Sequence, residues 1–298
     1  MKFRGGRIII KLENTQCTAV ISLHGAELKS FQNQISGDEY LWQADPGIWN
    51  RSAPFLFPNV GRLKSNTYVY ENKKYHLGQH GFLRDVDFEL KQKTDDYVIL
   101  CFRSNQETSK VYPFQFEITI DYLLEGNSLS VGVSVKNIDN KTIYFSYGNH
   151  AGFMAPINPE LNFEDYYLEV NPNKIRERFL LNNDKQIDLR NSFKENKFPI
   201  QLDHNLFTQD ALIYRTEGPT TVTLKSDKDS KKLVISFEDF DYVGIWSPYP
   251  KLGDFVCIQP WCGIADTADT NQRIDEKLGM YHLKEKETFS RRFTISIY

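Results

Sequence analysis

Several polar side chains sit where apolar runs give way to glycine, proline or asparagine. In PNVGRL, Arg62 follows an Asn-Val-Gly turn; in QHGFLRD, His80 lies between Gln79 and Gly81, with Arg84 four residues on. In YFSYGNHAGF, His150 closes an apolar run, and in LDHNLF, Asp203 precedes His204. DFVCIQPWCG carries Gln259 and Trp261, with Trp246 shortly before in VGIWSPYP. An imidazole titrates near neutrality and can move a proton. Arginine and aspartate form charge-assisted hydrogen bonds to hydroxyl groups. A carboxamide can hold a ligand but cannot take its proton. FVCI reads as a buried strand that ends on Gln259, a place where a side chain is held rigidly.

Taken one at a time, each of these residues has an ordinary structural reading. A histidine beside glycine in a β protein serves a turn or a satisfied core site. Arg62 and Arg84 fit surface or fold-pairing charges, Asp203 fits a turn cap, and Trp246 and Trp261 fit core positions. His24, His76 and His282 have no polar neighbours that suggest more. No HxxxH or HxH spacing points to a metal, and there is no GxSxG or glycine-rich phosphate loop. Cys17, Cys101, Cys257 and Cys262 form no CxxC pair. Three of them lie in apolar runs and read as small buried hydrophobes of a reducing cytosol.

The elements that must position these groups are strands. RIIIKLEN, VDFELKQK, DYVILCFRS, FQFEITIDYLLEGNSLSVGVSVKN and FSRRFTISIY alternate or run apolar, with Asn, Gly and Asp at their edges. EGNS at 125–128 predicts a hairpin turn, and SDKDSK at 226–231 a less regular one. Helical windows are scarce. ADPGIWN predicts a short helix, with Asp45 as cap and Pro46 at its first position; NQRIDEKLG predicts another, ended by Gly279. Closely spaced strands without intervening helices predict an antiparallel all-β protein. Residues 152–210 read as a long excursion with short hairpins, so residues 1–298 are read as one domain.

Composition narrows the function classes. The 298 residues are 14% aromatic, with 21 Phe and 16 Tyr, and carry a formal net charge of −3. This is a folding composition. It has no basic excess for nucleic acid and no cationic cluster for a membrane surface. The N-terminal MKFRGGRIIIKLEN lacks a signal-peptide pattern, and no window approaches the roughly 18 apolar residues of a membrane span. The expected location is the cytoplasm. An exposed sheet edge leaves a homodimer open.

PNVGRL, QHGFLRD, GNHAGF, DHNLF and CIQPWCGIADT occur in that order, and together they resemble the aldose 1-epimerase (galactose mutarotase) superfamily. EYLWQADPGIWNRSAPFLFPNVGRL resembles its LacX-like branch most specifically, and the likeness runs from about residue 18 to the C-terminus. It implies a large antiparallel β-sandwich, sometimes called a supersandwich, with a sugar groove on one sheet. It also implies a cofactor-free interconversion of the α and β anomers of a hexose. By that resemblance Arg62 binds substrate, His80 is the first histidine, His150 is the general acid and Asp203 bonds sugar hydroxyls. Trp246 and Trp261 are expected to stack on the pyranose.

Gln259 falls where the family places a glutamate general base. Losing such a base typically costs roughly 10²–10⁴ in rate. Three outcomes follow: a weakened enzyme using water or another carboxylate, with Asp203 and Asp266 as candidates; a non-catalytic carbohydrate-binding or sensing protein; or a histidine acting as base. Relatives that act on hexose 6-phosphates add a further alternative, with Arg62 and Arg84 as phosphate ligands.

Overall fold

The computed structural model describes residues 2–4 and 7–298. Among them, every paired strand is antiparallel to its partners within a named sheet. A nine-stranded sheet has the strands Thr288–Ile297, Ser128–Asn137 and Phe116–Glu125 side by side near its middle. An eight-stranded sheet is built around Tyr242–Trp246 and Phe255–Cys262. A four-stranded sheet is formed by the strands between Lys2 and Asn33.

Alternation explains the large sheet. In Phe116–Glu125, buried positions alternate strictly with half-buried ones until the exposed Glu125, as a pleat with one face on the core requires. The strand pairs with Ser128–Asn137 over ten residue pairs, ending at Glu125 opposite Ser128. Gly126, at φ +57°, makes the tight turn expected there. Phe57, Phe116, Phe145 and Tyr112 pack ring to ring in the core, with Phe57 and Phe116 centroids 4.9 Å apart. All four cysteines are buried and free, and burial raises the pKa of each thiol.

The helices differ from expectation. ADPGIWN forms a turn, in which the amides of Ile48 and Trp49 donate to the Asp45 carbonyl. Asp45 does act locally as a cap, accepting from the Gly47 amide at 2.7 Å, but no helix propagates. NQRIDEKLG holds one 3₁₀ turn, Ile274–Glu276, and Lys277 after it is already extended. Among the described residues the α-helix lies elsewhere, at Gln106–Val111, where Asn105 and Thr108 form a reciprocal capping box.

The strand that carries Gln259 does not end there. It runs from Phe255 to Cys262 and is buried at every position. One neighbour, Tyr242–Trp246, pairs with it continuously and sets Gly244 opposite Gln259. On the other side the pairing is split. Gly152–Met154 pairs with Cys257–Phe255, and Tyr147–Gly148 with Cys262–Trp261. Pro260, which has no N–H to give, sits in this break, which is how a proline is tolerated inside a sheet. Both paired stretches keep one register, so His150 falls opposite Gln259 across the break.

Trp261 is seated by two glycines. A Cβ on Gly148 would lie 2.6 Å from Trp261 Cδ1, and one on Gly244 2.5 Å from Trp261 Cζ2. The indole therefore lies flat on backbone. Gly244→Ala is expected to destabilise the protein by about 1–3 kcal/mol through overpacking and to displace the indole. Urea unfolding together with tryptophan fluorescence measures both, and an unchanged midpoint would mean that the ring has room to move.

Candidate functional site

Beside this strand lies a cavity of about 360 Å³, a size suited to a small polar ligand. Its wall includes Arg62, His80, Arg84, His150, Trp246, Gln259 and Trp261. These residues come from loops and strands spread over two hundred positions of the chain. The sheet register accounts for His150, Trp246, Gln259 and Trp261. The loop residues are delivered by a separate device. His80 has φ +67° and Gly81 φ +68°, and a Cβ on Gly81 would lie 2.2 Å from the Phe57 carbonyl oxygen. Only glycine permits that approach, and it presses the His80 loop against the strand end at Phe57.

His80 is buried and its protonation is set by its contacts. The Gly61 amide donates to His80 Nδ1 at 3.1 Å. The neutral ring therefore carries its proton on Nε2. The Gln79 side-chain nitrogen, itself a donor, sits 3.2 Å from that nitrogen and accepts nothing from it, while the Gln79 Oε1 accepts from Arg62 Nε at 3.1 Å. The Gln79 carbonyl accepts from Arg84 Nη2 at 2.8 Å. Gln79 thus ties together two arginines. Burial, reinforced by His150 and the guanidinium groups of Arg84, Arg62 and Arg51, holds the His80 pKa well below its ordinary value.

His150 is enclosed by rings. Its centroid lies 5.0 Å from Trp49, 5.5 Å from Trp246 and 5.5 Å from His80. Nδ1 is buried with no hydrogen-bond partner, which leaves Nε2 as the nitrogen available to the cavity. Burial, with Arg84 and Arg51 adding to it, pushes its pKa down to about 3, while a contact with its own backbone and the negative charge of Asp210 pull the other way. Gln259 is almost fully buried at 1% exposure, and its Oε1 has no partner. Trp261 Nε1 is likewise buried and unpartnered. Such orphaned polar atoms are costly in a finished core, and beside this cavity they are polar groups that a ligand can satisfy.

Asp203 does not line the cavity, which corrects its expected place in the site. It is exposed and caps the 3₁₀ turn His204–Phe207, accepting from the Asn205 amide at 2.7 Å. His204 stacks on Phe163 with centroids 4.1 Å apart. DHNLF is therefore a local fold motif. Asp266 is also turned away. It is 2% exposed and accepts from the Lys64 amide at 2.8 Å, with the buried Lys277 nearby lowering its pKa against the larger effect of burial.

The carboxylate in the cavity wall is Asp210, seven residues after Asp203, in an ion pair of 2.9 Å with Lys185, which also lines it. Sequence reasoning missed both residues, together with Trp49 and Gln79. For Asp210 the available signal was TQDAL, an acid at the mouth of the apolar strand Leu212–Arg215. For Trp49 it was the DPGIWN turn itself. Around the cavity, Arg62, Arg84 and Lys185 face a single carboxylate, so the wall is donor-rich and cationic, while both histidines are neutral.

Both rings should stay neutral across the physiological range. An NMR titration is expected to show no protonation of His150 between about pH 5 and 8. Its folded pKa, about 3, lies below the reference value of 6.5, so the unfolded chain takes the proton first on acidification. The stabilisation is complete above about pH 6.5 and is lost progressively as pH falls toward 3. A His150 signal titrating near 6.5 would show that the ring is wetter than its packing implies.

Comparison with known proteins gives a consistent picture. The family model for aldose 1-epimerase matches residues 9–295. The chromosomal LacX protein of Lactococcus lactis subsp. lactis is 31% identical over 97% of this chain and 99% of its own length. Among solved structures, a galactose mutarotase related enzyme from Lactobacillus acidophilus superposes with a TM-score of 0.96 at 41% identity, covering 98% of this chain and 97% of that one. A galactose mutarotase-like protein from Lactobacillus casei gives 0.90 at 31% identity, covering 98% and 100%.

Proposed function

The chain belongs to the aldose 1-epimerase family, on its LacX-like branch, and from that premise we propose that it interconverts the α and β anomers of a hexose by acid–base ring opening. The observation that carries this reading is the register that sets His150 opposite Gln259, with His80 5.5 Å from His150 in the same cavity. Anomerisation removes the proton of the C1 hydroxyl and delivers one to the ring oxygen. The open-chain aldehyde then turns about C1–C2 and closes again.

The residues divide by chemistry. His80 Nε2–H and the Arg62 guanidinium donate to sugar oxygens. Trp49 and Trp246, which meet at 5.8 Å edge to face, offer apolar surface to the pyranose. Asp210 takes the hydroxyl-binding place that the sequence assigned to Asp203. Gln259 reaches a hydroxyl but takes no proton. His150 is held neutral by burial, which outweighs the pull of Asp210, and no carboxylate stands opposite it at position 259 to favour its charged form.

A single substitution therefore addresses two deficits. Gln259→Glu supplies a carboxylate whose buried oxygen inherits no partner, and it places a negative charge opposite His150. Polarimetry on freshly dissolved α-D-glucose and α-D-galactose is expected to show the variant faster than the parent by roughly 10²–10⁴. His150 is expected to begin titrating nearer neutrality. A variant that binds sugar yet is no faster would remove position 259 from the proton path.

Gln259 also favours a second reading, a carbohydrate-binding or sensing protein without turnover. It predicts saturable sugar binding in calorimetry with an optical-rotation decay identical to the spontaneous one. Arg62 and Arg84, the cavity cations that remain once Lys185 pairs with Asp210, support a phosphorylated hexose as ligand. Glucose 6-phosphate should then compete better than glucose, and equal affinity would count against a phosphate pocket.

A further inference from the structure

The missing carboxylate at 259 leaves the proton of the C1 hydroxyl without an obvious acceptor. Among the cavity-lining residues there is one carboxylate, Asp210. The carboxyl groups of Asp203 and Asp266 are committed to backbone amides elsewhere. Asp210 is held in place from both sides. Its Oδ1 accepts from the Ala211 amide at 2.8 Å, and its Oδ2 lies 2.9 Å from Lys185 Nζ. The two residues are presented by facing turns in left-handed backbone conformations, Lys185 at φ +63° and Asp210 at φ +78°. The Lys185 turn is closed by its own ladder, with the Lys185 amide donating to Asn182 and the Asn182 amide to Gln186.

An acid and a base at hydrogen-bond distance match the hemiacetal carbon, which carries its hydroxyl oxygen and its ring oxygen on one atom. We propose that Lys185 and Asp210 form a bifunctional acid–base couple for ring opening, working in place of a carboxylate at position 259. The proposal rests on the anomer-interconversion reading. The Asp210 carboxylate takes the proton from the C1 hydroxyl. The C1–O bond to the ring oxygen breaks, and its electron pair leaves with that oxygen. The O–H electrons become the second bond of the aldehyde. The Lys185 ammonium gives a proton to the ring oxygen. This leaves a carboxylic acid beside an amine, and a direct proton transfer across the 2.9 Å contact restores the ion pair. Ring closure runs the same steps backward on either face of the aldehyde, with no net proton consumed.

The test is a cycle of four proteins followed by polarimetry on freshly dissolved α-D-glucose and α-D-galactose: the parent, Asp210→Asn, Gln259→Glu and the double variant. In the parent background Asp210→Asn is expected to lower kcat by roughly 10² or more, with sugar binding retained in calorimetry. In the Gln259→Glu background the same change is expected to cost less than about tenfold, because the new carboxylate takes over the proton. Lys185→Arg keeps the positive charge but gives up its proton poorly, so it should lower kcat with little change in KM, and it guards against misfolding of the aspartate variant. An equal loss from Asp210→Asn in both backgrounds would overturn the proposal and leave Asp210 as a hydroxyl ligand only. A parent without acceleration beside an active Gln259→Glu variant would also overturn it while sparing the family reading. If neither accelerates the reaction, the anomer-interconversion reading falls and the couple with it.

Discussion

One buried strand fixes the polar geometry of this protein. Phe255–Cys262 has no exposed position, so a one-residue slip against its neighbours would exchange its two buried faces and drive Gln259 into the apolar layer. The continuous ladder on one side sets Gly244 against Gln259, and the interrupted ladder on the other leaves His150 at the same level. The interruption and the proline inside the strand have one cause. A residue without an N–H marks the place where the neighbouring chain departs from pairing and offers its side chain to the cavity.

Burial then decides the charge states. Two imidazoles among tryptophans, arginines and each other find too little stabilisation for a proton to offset burial, so both stay neutral. The Gly61 amide further fixes the His80 proton on Nε2. The cavity charges come instead from its rim, where Arg62, Arg84 and the Lys185–Asp210 pair keep contact with water. The interior is thus a set of neutral hydrogen-bonding groups between charged edges. Such a site suits an uncharged, hydroxyl-rich ring within and leaves net positive potential at its mouth.

Much of this was legible in the sequence. Period-two alternation identified the strands of the large sheet because one face of each meets the core, as in Phe116–Glu125. EGNS specified its hairpin because a glycine there has a backbone role. The ordered motifs around Arg62, His80, His150 and Gln259 pointed to residues that the fold gathers in one cavity. The failures share a cause: they depend on distant partners. Asp203 and Asp210 lie seven residues apart, and nothing local says which carboxyl spends itself on its own turn. The DPGIWN turn carries helix-start chemistry but not the apolar repeat needed to propagate a helix. Gln259 looked like a strand terminus because a polar residue followed by proline ordinarily ends a buried run; only the split ladder beside it makes that sequence possible within a sheet.

The seat of Trp261 has a consequence for ligand entry. Because Gly148 and Gly244 bring bare backbone against the indole, that wall is packed closely from behind and is set before a ligand arrives. Little conformational freedom remains there for a ligand to quench, so a weakly interacting, highly solvated molecule can be retained without the ordering penalty that a mobile pocket would impose.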